Sequence, residues 1–195
     1  MAYAIINGVI YTEDEIISNG YLVIEAGKIR AIEKGSYDGD LEVLDAKGHH
    51  ILPGFIDIHI HGGYGEDAMD ASYDGLKHLA EQLLSEGTTS FLATTMTQSQ
   101  EAIDKALKNI RTYYEQQDRE NAAEIAGVHL EGPFISENKI GAQNPAFIQR
   151  PTVALLQQFQ ETAKGLIKIV TIAPEVAGAT EVIDTLKAVS YTHLT

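Results

Sequence analysis

The sequence contains no cysteine, which excludes disulfides, thiolate metal ligands and a cysteine nucleophile. Basic side chains are scarce: 14 Lys and Arg stand against 28 Asp and Glu, for a formal net charge of −14. A field of that sign repels nucleic acid and anionic membrane, so neither is an expected partner. No apolar run approaches the ~20 residues a membrane helix needs. The opening MAYAIINGVI lacks the basic stretch that leads a secretory signal, so the expected address is the cytoplasm. Repeats, low-complexity tracts and linkers are missing too.

What is present divides in two. Residues 1–52 carry short apolar runs broken by turn signals: Ala4-Ile5-Ile6, Asn7-Gly8, Val9-Ile10-Tyr11, then Asn19-Gly20 before Tyr21-Leu22-Val23-Ile24, and Ala26-Gly27 before Lys28 to Ile32. Asn-Gly accepts the positive φ of a tight hairpin. The expectation is a small antiparallel module.

After Leu52-Pro53-Gly54 the rhythm changes. Phe55 to Ile60 reads as a strand. Ser72 to Glu86 has helical spacing (Leu76, Leu79, Ala80, Leu83, Leu84) that stops at Gly87. Thr88 to Thr95 is a second strand, and Gln98 to Asp118 a helix with Ile103, Leu107, Ile110 and Tyr114 on one face. Ile125 to Leu130 and Leu166 to Ile172 are further strands, separated by a helix with Pro151 in its first turn. Strand and helix alternating at this spacing give βαβ units and a parallel sheet. No strand leads into G-x-G-x-x-G, so a (β/α)8 barrel is preferred to a Rossmann sheet. Four βα units are present where a barrel of about 250 residues has eight.

Alternation along the first strand puts Asp57, His59 and His61 on one face and Ile56, Ile58 and Ile60 on the other. In a barrel the isoleucines would pack against the surrounding helices while two imidazoles at i and i+2 converge on a cation, with Asp57 below them placed to orient a ring or neutralise charge. A polar pocket without metal is the competing reading of this pair. On the third strand Gly127, His129 and Glu131 share a face, so Glu131 reaches the same mouth. Two imidazoles and a carboxylate make a ligand set suited to Zn²⁺ or Fe²⁺. Gly132 is read as room for a ligand against the backbone, and Pro133 as a stiffener. His49 and His50 are read as surface, His78 as helix exterior, Tyr113-Tyr114 as packing, and Asp67, Asp70 and His193 as solvated.

LPGFIDIHIHGG from Leu52, EGTTSF from Glu86, HLEGPF from His129 and KIGAQNP from Lys139 together resemble the N-acetylglucosamine-6-phosphate deacetylases of the amidohydrolase superfamily. LPGFIDIHIH marks the superfamily; the other segments are specific to the deacetylases. The resemblance implies residues 53–195 as the first half of a (β/α)8 barrel, and residues 1–52 as part of a small β-sandwich built from both chain ends. It implies His59, His61 and Glu131 as metal ligands, one or two divalent ions per site, and Ala142 and Gln143 beside an amino-sugar phosphate. A substrate of that charge needs a local cationic pocket in so acidic a protein. A homo-oligomer is expected of the full-length form.

The implied reaction is metal-assisted hydrolysis of the N-acetyl group, giving acetate and the free amine. The family's general base is an aspartate on the last barrel strand, and two more ligand histidines lie on middle strands. None of these matches a residue here, so they are expected beyond Thr195, and no catalytic base is identified. Two alternatives stand beside this reading. One is a cyclic-amide hydrolase such as a dihydroorotase, which shares His-x-His but commonly carries a metal-bridging lysine. The other is an inert fragment.

Overall fold

A computed structural model describes residues 1–188 and 192–194, the last three as backbone only. The chain divides into two compact units, Met1–Pro53 and Gly54–Thr195.

The first unit has seven strands: β1 (Ala2–Ile6), β2 (Val9–Tyr11), β3 (Ile16–Ile17), β4 (Gly20–Glu25), β5 (Lys28–Lys34), β6 (Glu42–Asp45) and β7 (His50–Ile51). They form a sheet of order β5-β4-β1-β6 and another of order β3-β2-β7. The expected hairpin is the one at Ala26-Gly27. Both residues take positive φ, at 50° and 74°, the requirement of a tight type I′ turn, and β4 and β5 pair antiparallel across it. Asn7-Gly8 and Asn19-Gly20 are not hairpins. Asn7 does adopt φ 56°, but β1 and β2 lie in different sheets, so the turn transfers the chain from one to the other. Nor is the unit purely antiparallel, since β6 pairs parallel with β1 and β7 parallel with β2. A local turn signal cannot report such pairings between strands distant in sequence. Ile10, Ile17 and Leu22 form the unit's small buried cluster, with Ile5 and Ile51 against it.

The second unit alternates strand and helix. Its elements are β8 (Phe55–Ile60), β9 (Gly62–Gly63), β10 (Glu66–Asp67), α1 (Tyr73–Leu83), β11 (Thr88–Thr94), α2 (Gln100–Gln116), β12 (Glu124–Glu131), α3 (Val153–Thr162), β13 (Ile167–Thr171), α4 (Ala179–Ala188) and β14 (Thr192–Leu194). β9 and β10 make a small antiparallel pair. The rest form a parallel sheet of order β14-β13-β12-β11-β8. The four expected βα units are there. A fifth strand, β14, is added, too short for its alternation to be read in advance. His193 belongs to it, and its side chain lies outside the described residues.

The helices start where their caps dictate. Ser72 accepts from the Gly75 N–H at the head of α1, and Ser99 from the Ala102 N–H at the head of α2. Thr152 accepts from the Leu155 N–H and caps α3, so Pro151 precedes the cap instead of occupying the first turn. Leu76, Leu79, Ala80 and Leu83 of α1 are buried with Ile103, Leu107, Ile110 and Tyr113 of α2. Tyr113 takes the fully buried place and Tyr114 packs at its margin. Against them lie Phe91 of β11, Ile125, Val128 and Leu130 of β12, and Ile167 and Val170 of β13. Among the described residues no helix is long and apolar enough to cross a membrane.

β8 lies at one edge of the sheet, as expected of the first strand of a partial barrel. Ile60 packs on the core, but Ile56 is 67% exposed and Ile58 49%. The helix that follows β8 packs against α2 and β10. Among the described residues no helix covers the strand's apolar face, in keeping with a sheet that is one part of a larger barrel.

Candidate metal centre

His59, at the C-terminal end of β8, His61 just beyond it, and Glu131, the last residue of β12, offer ligand atoms that lie within 4.8 Å of one another. His59 Nε2 is 3.2 Å and His61 Nε2 2.9 Å from Glu131 Oε2. β11 lies between β8 and β12 in the sheet, so these contacts reach over a strand. The His59, His61 and Glu131 side chains span that gap above β11.

The hydrogen bonds around the group decide where its lone pairs point. His61 Nδ1 lies 3.2 Å from the Thr94 carbonyl oxygen. A carbonyl only accepts, so Nδ1 carries the hydrogen and Nε2 is left with a lone pair. Glu131 Oε1 accepts from Gln143 Nε2 at 2.7 Å. Glu131 Oε2 is buried and, despite its closeness to two rings, has no donor at a hydrogen-bonding angle. The rings thus approach Oε2 without pointing an N–H at it. Lone pairs crowded around one point repel unless a cation lies between them. Two ligand atoms about 2.1 Å from a common ion in tetrahedral geometry stand about 3.4 Å apart, close to these separations. The donor set fits a divalent ion.

His129 shares this end of the sheet with a different task. It is fully buried. Its Nδ1 lies 3.0 Å from the Ile58 carbonyl on β8, and its Nε2 2.8 Å from Thr171 Oγ1 on β13. By the same logic Nδ1 donates and Nε2 accepts from the hydroxyl, so both nitrogens are used within the protein. Burial first, and then the neighbouring His59 ring, lowers its pKa and keeps it neutral. The ring stands edge-on to His59 at 4.8 Å and ties β8, β12 and β13 together.

Asp57 and Gly132 act otherwise than expected, while the surface histidines and Asp70 lie where expected. Asp57 Oδ1 accepts from the His59 backbone N–H at 2.9 Å; it orders the strand and turns no ring. Gly132 has φ 73°, and a Cβ there would collide with Thr97. Its missing side chain makes room for Thr97, not for a ligand. Gln143 joins the group while Ala142 lies exposed in the same loop, next to Gly141, whose Cβ position is open. Asp67 accepts from the Met69 N–H, and Asp70, His49, His50 and His78 are exposed. Thr94, Thr97 and Thr171 were not singled out from the sequence. The signal was there in principle, since each ends or follows a strand at the same edge as Glu131.

The chain is similar to known proteins. N-acetylglucosamine-6-phosphate deacetylase of Bacillus subtilis (strain 168) is 47% identical over 169 residues, 85% of this chain and 43% of that protein. N-acetylgalactosamine-6-phosphate deacetylase of Escherichia coli O157:H7 is 33% identical over 176 residues, 90% of this chain and 45% of that protein. Among solved structures, the D267A mutant of N-acetyl-D-glucosamine-6-phosphate deacetylase from Mycobacterium smegmatis, in complex with N-acetyl-D-glucosamine-6-phosphate, superposes with a TM-score of 0.85. It is 25% identical, and the match covers 99% of this chain and 48% of that one. The chain thus spans less than half the length of the relatives it matches. The profile of the amidohydrolase family matches residues 50–190. That stretch is most of the chain and contains the whole of the site, and the chain belongs to the amidohydrolase family.

Proposed function

We propose that this chain carries the metal-binding portion of a deacetylase that removes the N-acetyl group of N-acetylglucosamine 6-phosphate, releasing acetate and glucosamine 6-phosphate. His59, His61 and Glu131 hold a divalent ion, zinc or iron, with room for one or two. Ala142 and Gln143 face the sugar. The five parallel strands form one side of a (β/α)8 barrel, and residues 1–52 part of a β-sandwich. The proposal extends to a cytoplasmic homo-oligomer of the complete protein. The observation that carries the reading is the buried, donor-less Glu131 Oε2 facing two imidazole nitrogens.

When bound, such an ion polarises an amide carbonyl and lowers the pKa of water. The chain's own residues prepare for that chemistry. Thr94 fixes the tautomer of His61, Gln143 occupies the outer oxygen of Glu131, and His129 holds β8 at its distance from β12. Gly141 and Ala142 leave a small, open stretch of backbone that a sugar can approach. No general base is assigned, because no free carboxylate joins this group among the described residues.

The test is acetate release by the complete, metal-loaded protein from N-acetylglucosamine 6-phosphate. N-acetylgalactosamine 6-phosphate and dihydroorotate serve as the competing substrates. Preferential turnover of the gluco sugar is expected. Ring opening of dihydroorotate without acetate release would overturn the proposal in favour of a cyclic-amide hydrolase.

A further inference from the structure

We infer that Gln143 is a positioning residue for Glu131, joining the loop that faces the substrate to the metal ligand; the inference rests on the site proposed above. Gln143 lies between two short 3-10 turns, Glu137–Lys139 and Pro145–Phe147. Its side chain bridges the ends of two strands. The Thr97 backbone N–H donates to Gln143 Oε1 at 2.8 Å, and Gln143 Nε2 donates to Glu131 Oε1 at 2.7 Å.

Chemistry fixes the sense of this bridge. A backbone N–H can only donate and a carboxylate can only accept. A flipped amide would set NH₂ against N–H and C=O against COO⁻, so the orientation has one solution. The bond to the carboxylate is charge-assisted and short, the stronger kind of hydrogen bond. It occupies Oε1 and turns Oε2 alone toward His59 and His61. Glu131 is thereby set to offer one oxygen, already aimed, before any ion arrives. Thr97, the anchor, is buried in the segment between β11 and α2, so the bridge hangs from a fixed point outside the Gln143 loop. The loop is held to the ligand by the same amide, so displacement of one is felt by the other.

Two substitutions separate this role from contact with the sugar or from simple support of the loop. Gln143→Ala frees Glu131 to rotate. Gln143→Glu keeps the size and still offers the Thr97 N–H an acceptor, but sets a carboxylate against Glu131. Asn144→Ala is the control: it removes the side chain that accepts from the Ala146 N–H and caps the next turn, leaving Glu131 untouched. The measurement is zinc affinity of the metal-stripped full chain, by competition with a chelating indicator, alongside Tm. Outer partners of metal ligands are worth about 10–100-fold in affinity. Gln143→Ala is expected to lose that much, and Gln143→Glu at least as much with Tm close to the parent. Asn144→Ala should stay within about threefold of the parent, well inside that range. Parental zinc affinity in both Gln143 variants would overturn the inference and leave the deacetylase proposal standing. Equal losses in Asn144→Ala and Gln143→Ala would also overturn it, assigning the effect to loop order. A parent that binds no zinc or iron would overturn the site itself.

Discussion

β8 and β12 supply the two halves of one site, yet they are held by different means. β12 lies inside the sheet, with Ile125, Val128 and Leu130 fully buried against the helices and His129 buried on the opposite face. β8 is an edge strand whose Phe55, Ile56 and Ile58 are exposed. Hydrophobic burial therefore secures Glu131, while the two histidines depend on specific polar ties. The Ile60 N–H donates to Thr94 Oγ1, His61 Nδ1 to the Thr94 carbonyl, and His129 Nδ1 to the Ile58 carbonyl. Within this chain those hydrogen bonds carry the register of β8, because a strand at a sheet edge has one neighbour.

The sharpest way to break the comparison is to truncate equivalent side chains on both strands. Leu130→Ala should cost about 2–5 kcal/mol, as large-to-small changes in a closed core do. Ile58→Ala should cost within about 0.5 kcal/mol, as at exposed positions. Equal losses in urea denaturation would show that β8 is packed after all.

Removing the carboxylate attacks the point where the halves meet. Glu131→Gln should lower metal affinity and acetate release together by about 100-fold or more, beyond the 10–100-fold typical of outer partners. Full metal occupancy by elemental analysis of that variant would remove Glu131 from the ligand set.

A finer contrast lies within β8's own pair. His61 is tied to Thr94 and is the less exposed ring, whereas among the described residues no hydrogen bond reaches the ring of His59 beyond its approach to Glu131. His61→Ala should therefore weaken zinc binding about tenfold more than His59→Ala, the lower end of what an orienting partner contributes. The reverse order in a competition titration would show that ring orientation does not rank these ligands.

The smallest effect concerns the buried layer behind β12. The Tyr113 hydroxyl is buried without a partner, and burial raises its pKa to about 12. A folded-state pKa above the unfolded value gives stability that is complete below about pH 10 and lost as pH rises toward 12. Tyr113→Phe should flatten the fall of Tm over that interval and change stability at pH 7 by less than about 1 kcal/mol, in the stabilising direction. An unchanged alkaline profile would mean the hydroxyl finds water or a partner.

Much of this was legible because it is local. Period-two alternation in Phe55 to His61 put Asp57, His59 and His61 on one face, and Ser72, Ser99 and the leucine spacings set where α1 and α2 begin and what they bury. Local signals failed where the partner was distant. Asn7-Gly8 looked like a hairpin and is a crossing between sheets. Gly132 looked like space for a ligand and is space for Thr97. In each case the deciding atom comes from a segment that no local pattern names.

The division between sequence and tertiary structure follows from range. By itself the sequence determined the ligand types, their strand-end positions and the βα rhythm, because side-chain alternation and helix capping act over two to four residues. Only the fold decided which atoms of those ligands face one another. Thr94, 33 residues from His61, sets a tautomer; Gln143, 12 residues from Glu131, selects an oxygen; His129, 71 residues from Ile58, sets a spacing. Hydrogen bonds are directional and short, so their partners are fixed only once the folded sheet has brought those backbones within about 3 Å of each other.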